Sequence, residues 1–258
     1  MFKFTSKKKQ AHASDKEDIA RILNDDTPFA VREAYRTLCT NMLYLPITDK
    51  CRKIAITSAF PGEGKTFVSI NLSITLASSS ADRKVLLIDA DMRKSRVMRL
   101  LKSNKYSSLS GLSEYLAGID AVPNVISSDY TNLDVISSGA EAANPAGLIN
   151  SPRMRELVSW AEEKYDYIIF DTPPVNVVSD ALLLNDCING YLIAVRADYS
   201  DVNSLSHSLD ALEKIGATVF GAVLSSVEPK NTKGYYHSHN KYGYDSYSNN
   251  ADKSRQNK

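Results

Sequence analysis

Cysteine is scarce in this chain, and the three present, Cys39, Cys51 and Cys187, share no ligand-like spacing. That excludes a disulfide scaffold and a cysteine-built zinc site, and it reads as the reduced thiols of a cytosolic protein. No apolar run approaches the ~18 residues that a membrane-crossing helix needs. The first nine residues, Met1 to Lys9, carry charge without an apolar stretch, unlike a secretion signal. Net charge is only +1. No global field therefore draws the chain to nucleic acid or to an anionic membrane, and no nucleic-acid partner is expected. Internal repeats are lacking as well.

What is present is length: 258 residues suffice for one large α/β domain with a sizeable core. Five short runs are apolar at nearly every position: 53–58, 84–89, 166–171, 190–196 and 218–225. A sixth, weaker run covers 133–136. Such runs suit strands buried on both faces, hence a mostly parallel sheet. Helical patterns lie between them, at 145–163 and 201–215 for example. This alternation predicts a doubly wound α/β fold, with ligands at the carboxyl ends of the strands. A helix over about 28–44 precedes the first strand, with Asp26 or Thr27 as cap and Pro28 at its first position. Residues 1–26 are expected to be largely mobile, 27–227 to fold, and 228–258 to form a disordered tail with almost no aliphatic residues.

The segment Ser58-Ala59-Phe60-Pro61-Gly62-Glu63-Gly64-Lys65-Thr66 follows the first apolar run and precedes a helix-like stretch from Phe67. Strand, glycine loop, Lys-Thr and helix form a cradle for a nucleoside triphosphate. Glycines let backbone N–H groups crowd onto phosphate oxygens, and the helix N-terminus adds positive potential. Lys65 is placed to reach the outer phosphates and the Thr66 hydroxyl to ligate magnesium. The phosphate-binding residues are thus Pro61, Gly62, Glu63, Gly64, Lys65, Thr66 and Phe67. Ala59 stands where the general pattern has glycine.

Two further strand ends carry carboxylates. Leu86-Leu87-Ile88 runs into Asp89-Ala90-Asp91, and Ile168-Ile169-Phe170 runs into Asp171-Thr172-Pro173-Pro174. In extended backbone, positions i and i+2 point to one side, so Asp89 and Asp91 can both face the phosphates. Asp171 suits a magnesium site, reached through water, with Thr66 and Asp91 as the other metal-organising groups. Phosphoryl transfer then needs a group that orients or deprotonates the nucleophile, and Asp89 and Asp91 are both candidates.

The tail offers the nucleophile. Tyr235, Tyr236, Tyr242, Tyr244 and Tyr247 are five of the 14 tyrosines, gathered where no aliphatic partners exist. Tyrosine is normally kept for cores and interfaces. The cluster reads either as a sticky partner-binding tail or as a set of phosphate acceptors, and a flexible stretch of this length reaches roughly 25 Å. His237 and His239 read as solvated. The basic run Lys94, Arg96, Arg99 and Lys102 reads either as a solvated helix face or as a surface that receives the tail.

With these motifs the chain resembles the bacterial tyrosine kinases (BY-kinases) that regulate capsular and exopolysaccharide synthesis, in their stand-alone Gram-positive form. The resemblance rests on Pro61 to Thr66 (Walker A), Leu87 to Lys94 (Walker A′), Ile169 to Pro174 (Walker B), the tyrosine cluster, and Glu33-Ala34-Tyr35-Arg36-Thr37. It implies a P-loop NTPase-type kinase domain over 27–227 that uses ATP and Mg2+. It also implies trans-autophosphorylation of the tail within a ring-like homo-oligomer assembled through Glu33, Tyr35 and Arg36. A membrane-anchored adaptor would activate the kinase and recruit it from the cytoplasm to the inner face of the membrane, and other proteins could serve as substrates. A partition-type ATPase of the same superfamily would carry a signature lysine where this chain has Phe60, and a purely regulatory module would bind nucleotide without transfer. Three positions depart from the family pattern. Cys39 replaces a common Arg, which is expected to alter an interface contact. Ser95 replaces a frequent Pro, which is expected to loosen its loop. Ser225 replaces a frequent Asn, which bears on base recognition.

Overall fold

The structure, a computed structural model, describes residues 17–101 and 110–227. In chain order its elements are α1 (Phe29–Leu43), β1 (Arg52–Ser58), α2 (Lys65–Ser78), β2 (Val85–Asp89), α3 (Val97–Leu100), α4 (Leu112–Leu116), β3 (Ile126–Ser127), β4 (Leu133–Ile136), α5 (Pro145–Ile149), α6 (Pro152–Glu162), β5 (Tyr167–Asp171), a 3₁₀ turn (Leu182–Cys187), β6 (Gly190–Arg196), α7 (Val202–Lys214) and β7 (Val219–Ser225). The strands form one seven-stranded sheet in the order β3-β4-β2-β5-β1-β6-β7. Every pairing is parallel except β3 with β4.

Burial follows the apolar runs. All residues of β2 and β5 are buried, as are Lys53 to Ser58 of β1. Alternate residues face opposite layers. Ile54, Ile56, Leu87 and Ile169 pack with α1, α2 and α3, while Ala55, Leu86, Ile168 and Phe170 pack with α4, α6 and the 3₁₀ turn. Burying each such Leu or Ile contributes about 1.5–3 kcal/mol, which fixes the central strands and hence their carboxyl ends. From β1 the chain crosses to β2, and from β5 it crosses the other way to β6. Their adjacent ends therefore form the crevice where such sheets bind ligands.

Several expectations are corrected. Residues 17–26 are packed rather than mobile, because Ile22 and Leu23 enter the core beside α2. Pro28 occupies the N-cap of α1 and no side chain caps the helix. The Thr27 hydroxyl instead accepts from the Asn24 N–H at 2.9 Å. The pattern at 145–163 is two helices, since Pro152 opens a new one after the turn at Asn150 and Ser151. The last strand is an edge with Ala222 and Leu224 exposed, not a strand buried on both faces.

Candidate active site

The three strand ends predicted to carry the chemistry converge. Ile56 of β1 lies in register with Asp171 of β5, and Asp171 with Asp89 of β2. The loop leaving β1 wraps the start of α2. Gly62 and Gly64 have φ of 91° and 92°, the left-handed region that glycine adopts without strain, and Gly64 is the N-cap of α2. A Cβ on Gly64 would also stand 2.8 Å from Ser225 Oγ. Gly64→Ala is therefore expected to cost about 1–2 kcal/mol of stability, read as a lower midpoint in urea unfolding.

The loop is braced from beneath and from the side. Glu63 is buried, and its carboxylate accepts from the Phe60 N–H at 2.8 Å and from the Ser200 hydroxyl. Ser225 Oγ donates to the Glu63 carbonyl at 2.8 Å. Arg196 and Tyr199 donate to the carbonyls of Gly62 and Pro61, each at 3.2 Å. Glu63 thus holds the loop's shape with its side chain and leaves the amides of the turn to face a ligand. The centre of the Phe67 ring lies 5.7 Å from the guanidinium carbons of both Arg21 and Arg96.

Lys65 Nζ donates to Asp91 Oδ2 at 2.7 Å, and both residues are buried. Burial alone would lower the Lys65 pKa, but the carboxylates of Asp171, Asp91 and Asp89 outweigh it and hold the ammonium charged. Asp89 is fully buried. Its Oδ2 accepts from Ser95 Oγ at 2.8 Å and from the Val97 N–H at 3.3 Å, and its Oδ1 accepts from the Asp91 N–H at 3.3 Å. Burial, with the Asp171 charge adding to it, pushes Asp89 up to about 7, against the opposing pull of Ser95 and Lys65. Asp171 is also raised, by burial first and by Asp91, and is held down by Lys65, Thr66 and Ser69. Ser69 Oγ donates to Asp171 Oδ1 at 3.0 Å, while Oδ2 is buried with no hydrogen-bond partner among the described residues. An orphaned, buried carboxylate oxygen beside the Thr66 hydroxyl fits a hydrated magnesium ion. The described residues show no cluster of three or more His, Cys, Asp or Glu side chains able to hold a metal by themselves.

Two of the positions that depart from the family pattern have defined places in the structure. The Ser95 hydroxyl ties its loop to Asp89. Cys39 is buried in the core. On α1, Glu33 and Arg36 form an ion pair at the surface. Tyr35 packs against the core, and burial raises its hydroxyl pKa, with Asn71 pulling the other way. Ser69, Ser95 and the Ser200 brace on Glu63 were not predicted. Tyr235, Tyr236, Tyr242, Tyr244 and Tyr247 lie outside the described residues, as does Lys102.

A glycine loop at a helix start, a buried Lys-Asp pair and strand-end carboxylates define the class: a nucleotide-binding P-loop protein of the α/β type. Residues 51–220 match the AAA domain family. The chain is 33% identical over 213 residues to the tyrosine-protein kinase YwqD of Bacillus subtilis, covering 82% of this chain and 85% of YwqD. It is 32% identical over 197 residues to the tyrosine-protein kinase CpsD of Streptococcus pneumoniae, covering 76% and 84%. Against the tyrosine-protein kinase Etk of Escherichia coli it is 38% identical over 205 residues, 79% of this chain, and it spans only 27% of that longer relative. The solved kinase domain of Etk superposes with a TM-score of 0.72 at 36% identity, covering 83% of this chain and 80% of that one. The chain belongs to the AAA domain family and, within it, to the bacterial tyrosine-protein kinases, as its motifs led one to expect.

Proposed function

We propose that the protein is an ATP-dependent protein-tyrosine autokinase that phosphorylates Tyr235, Tyr236, Tyr242, Tyr244 and Tyr247 in its own tail. The observation that carries this reading is the convergence of the loop, Lys65 and three buried carboxylates on one crevice. Lys65 and the amides of residues 62–66 bind the phosphates and offset charge on the transferring group. Magnesium, when bound by Thr66 and Asp171 with Asp91, neutralises charge on the phosphate oxygens. Asp89, whose raised pKa suits proton uptake near neutrality, accepts the proton of the tyrosine hydroxyl. The phenol oxygen attacks the terminal phosphorus, the bond to the bridging oxygen breaks, and ADP leaves with that electron pair.

Transfer in trans within a ring-like homo-oligomer follows if α1 is the assembly helix. Its surface pair Glu33–Arg36 and the exposed Phe29 and Val31 support that role, with Tyr35 holding the helix to the domain. A membrane-anchored adaptor would activate the kinase and recruit it to the inner face of the membrane. No helix among the described residues is long and apolar enough to cross a membrane by itself. The pathway controlled would be capsular or exopolysaccharide synthesis, with exogenous protein substrates besides the tail. The test is to incubate the full chain with ATP, Mg2+ and an adaptor fragment and to map phosphate by mass spectrometry. Phosphate is expected on the five tail tyrosines, and a tail with all five changed to Phe should stay unlabelled. Release of phosphate only to water would overturn the assignment.

A further inference from the structure

The chain ahead of α1 is tied to the loop that carries Asp89. Residues 17–19 make one helical turn. It is closed by the N–H groups of Arg21 and Ile22, which donate to the carbonyls of Asp18 and Ile19, each at 3.1 Å. Asn71 of α2 clamps the next residues from both sides. Its Oδ1 accepts from the Leu23 N–H at 2.9 Å and its Nδ2 donates to the Arg21 carbonyl at 3.0 Å. The Tyr130 hydroxyl donates to the Leu23 carbonyl at 3.0 Å. With Ile22 and Leu23 buried, these bonds anchor the segment and present Asp18 at a fixed place.

There Asp18 meets Arg96, which does not belong to a free basic face. Arg96 Nη2 donates to Asp18 Oδ2 at 2.5 Å, across 78 residues of sequence. The guanidinium groups of Arg96 and Arg21 each lie 5.7 Å from the centre of the Phe67 ring, so the residue after Thr66 is in cation–π contact with both. Among the described residues Arg96 Nε is buried without a hydrogen-bond partner, and the ion pair with Asp18 is what fixes this side chain. The residues on either side of Arg96 are the two donors to Asp89 Oδ2, the Ser95 hydroxyl and the Val97 N–H. A displacement of Arg96 moves both.

We propose that Arg96 is a positioning residue for Asp89, locked in place by Asp18 of an N-terminal strap, and that the docked strap sets the rate of phosphoryl transfer. This rests on the assignment of Asp89 to the tyrosine hydroxyl made above. The strap reaches the assembly helix too, since Ile22 and Leu23 share one apolar core with Cys39 and Met42 of α1. One continuous set of contacts therefore runs from α1 to the carboxylate.

The test compares the full chain with its Asp18→Asn, Asp18→Glu, Arg96→Gln and Asp18→Asn/Arg96→Gln variants, each with ATP, Mg2+ and the adaptor fragment. Initial rates of tail phosphorylation are measured against ATP concentration, and ATP binding by equilibrium titration. Asp18→Asn and Arg96→Gln are each expected to lower kcat about tenfold or more, with KM and the ATP dissociation constant changed less than about twofold. Asp18→Glu should recover most of the rate. The double variant should be no slower than the slower single, because both changes remove the same link. An unchanged kcat in Asp18→Asn, or losses that multiply in the double variant, overturns the proposal. If Arg96→Gln fails to fold by circular dichroism, Asp18→Asn and its Glu counterpart still decide it. A wild-type chain that never labels its tail overturns the kinase reading itself. An active wild type with an indifferent Asp18→Asn overturns only the strap.

Discussion

Lys65→Met is expected to reduce tail phosphorylation at least roughly 10²–10³-fold, leaving a folded protein of lower stability. The loss of activity follows from removing the ammonium that the proposed mechanism places on the transferring phosphoryl group. The loss of stability follows from where the ammonium sits. It is buried against Asp91 at 2.7 Å, and the charges of Asp171 and Asp89 also act on it. Breaking a buried pair strands its partner at a cost of about 3–5 kcal/mol when the remaining charge cannot be neutralised. Here it can be, in part, because Asp89 and Asp171 already lean towards their protonated forms and would take up protons more readily. The melting temperature should therefore fall by less than a full buried charge implies. Circular dichroism should show an unchanged fold, and Lys65→Arg should melt above Lys65→Met. Mass spectrometry of the tail checks the activity, and persistent labelling in Lys65→Met would remove Lys65 from the transfer step.

How much of this was legible beforehand depended on whether a feature is local. The phosphate loop is a contiguous pattern, and the apolar runs that end in Asp89 and Asp171 mark their own strand ends, so the fold class and the convergence of these strand ends could both be read along the chain. The contacts that tune the site are not contiguous. Ser69 reaches Asp171 across 102 residues, and Ser200 reaches Glu63 across 137. Nothing in a serine's sequence neighbours announces such a partner. Ser95 is a related case: the backbone freedom of a residue that is not proline is legible in sequence, and the 2.8 Å bond of its hydroxyl to Asp89 is not. Residues 17–26 looked mobile because charged and polar residues surround Ile22 and Leu23. Two buried side chains and an asparagine clamp from another helix were enough to order that segment. Composition averages away so short an anchor. The exposed face of β7 was missed because an apolar run does not tell an edge from a centre, which is settled by topology alone.

Asp89→Asn is expected to abolish most of the activity and yet to stabilise the protein above neutral pH. The carboxyl titrates at 3.8 in its ordinary state and at about 7 in the fold. As pH rises through that window the unfolded chain gives up the proton first and the folded chain keeps it, so stability falls with pH until about 7 and is level beyond. Asparagine, which never ionises, escapes this loss. It keeps one oxygen to accept from Ser95 and Val97 and gives up the 3.3 Å bond from the Asp91 N–H. The net gain should be roughly 2–4 kcal/mol at pH 8, shrinking towards pH 4. Thermal unfolding across that range, in EDTA and without nucleotide, measures it. Transfer to tyrosine should fall about 10²–10⁴-fold, the usual worth of a positioned proton acceptor. A variant that melts below the wild type at pH 8 would mean that the carboxylate is comfortable in its site and that its raised pKa does not describe the folded state. A variant that still phosphorylates its tail would hand the proton to Asp91. A variant both more stable and inactive would show that the protein keeps an ill-tolerated carboxylate in its core because phosphoryl transfer needs it there.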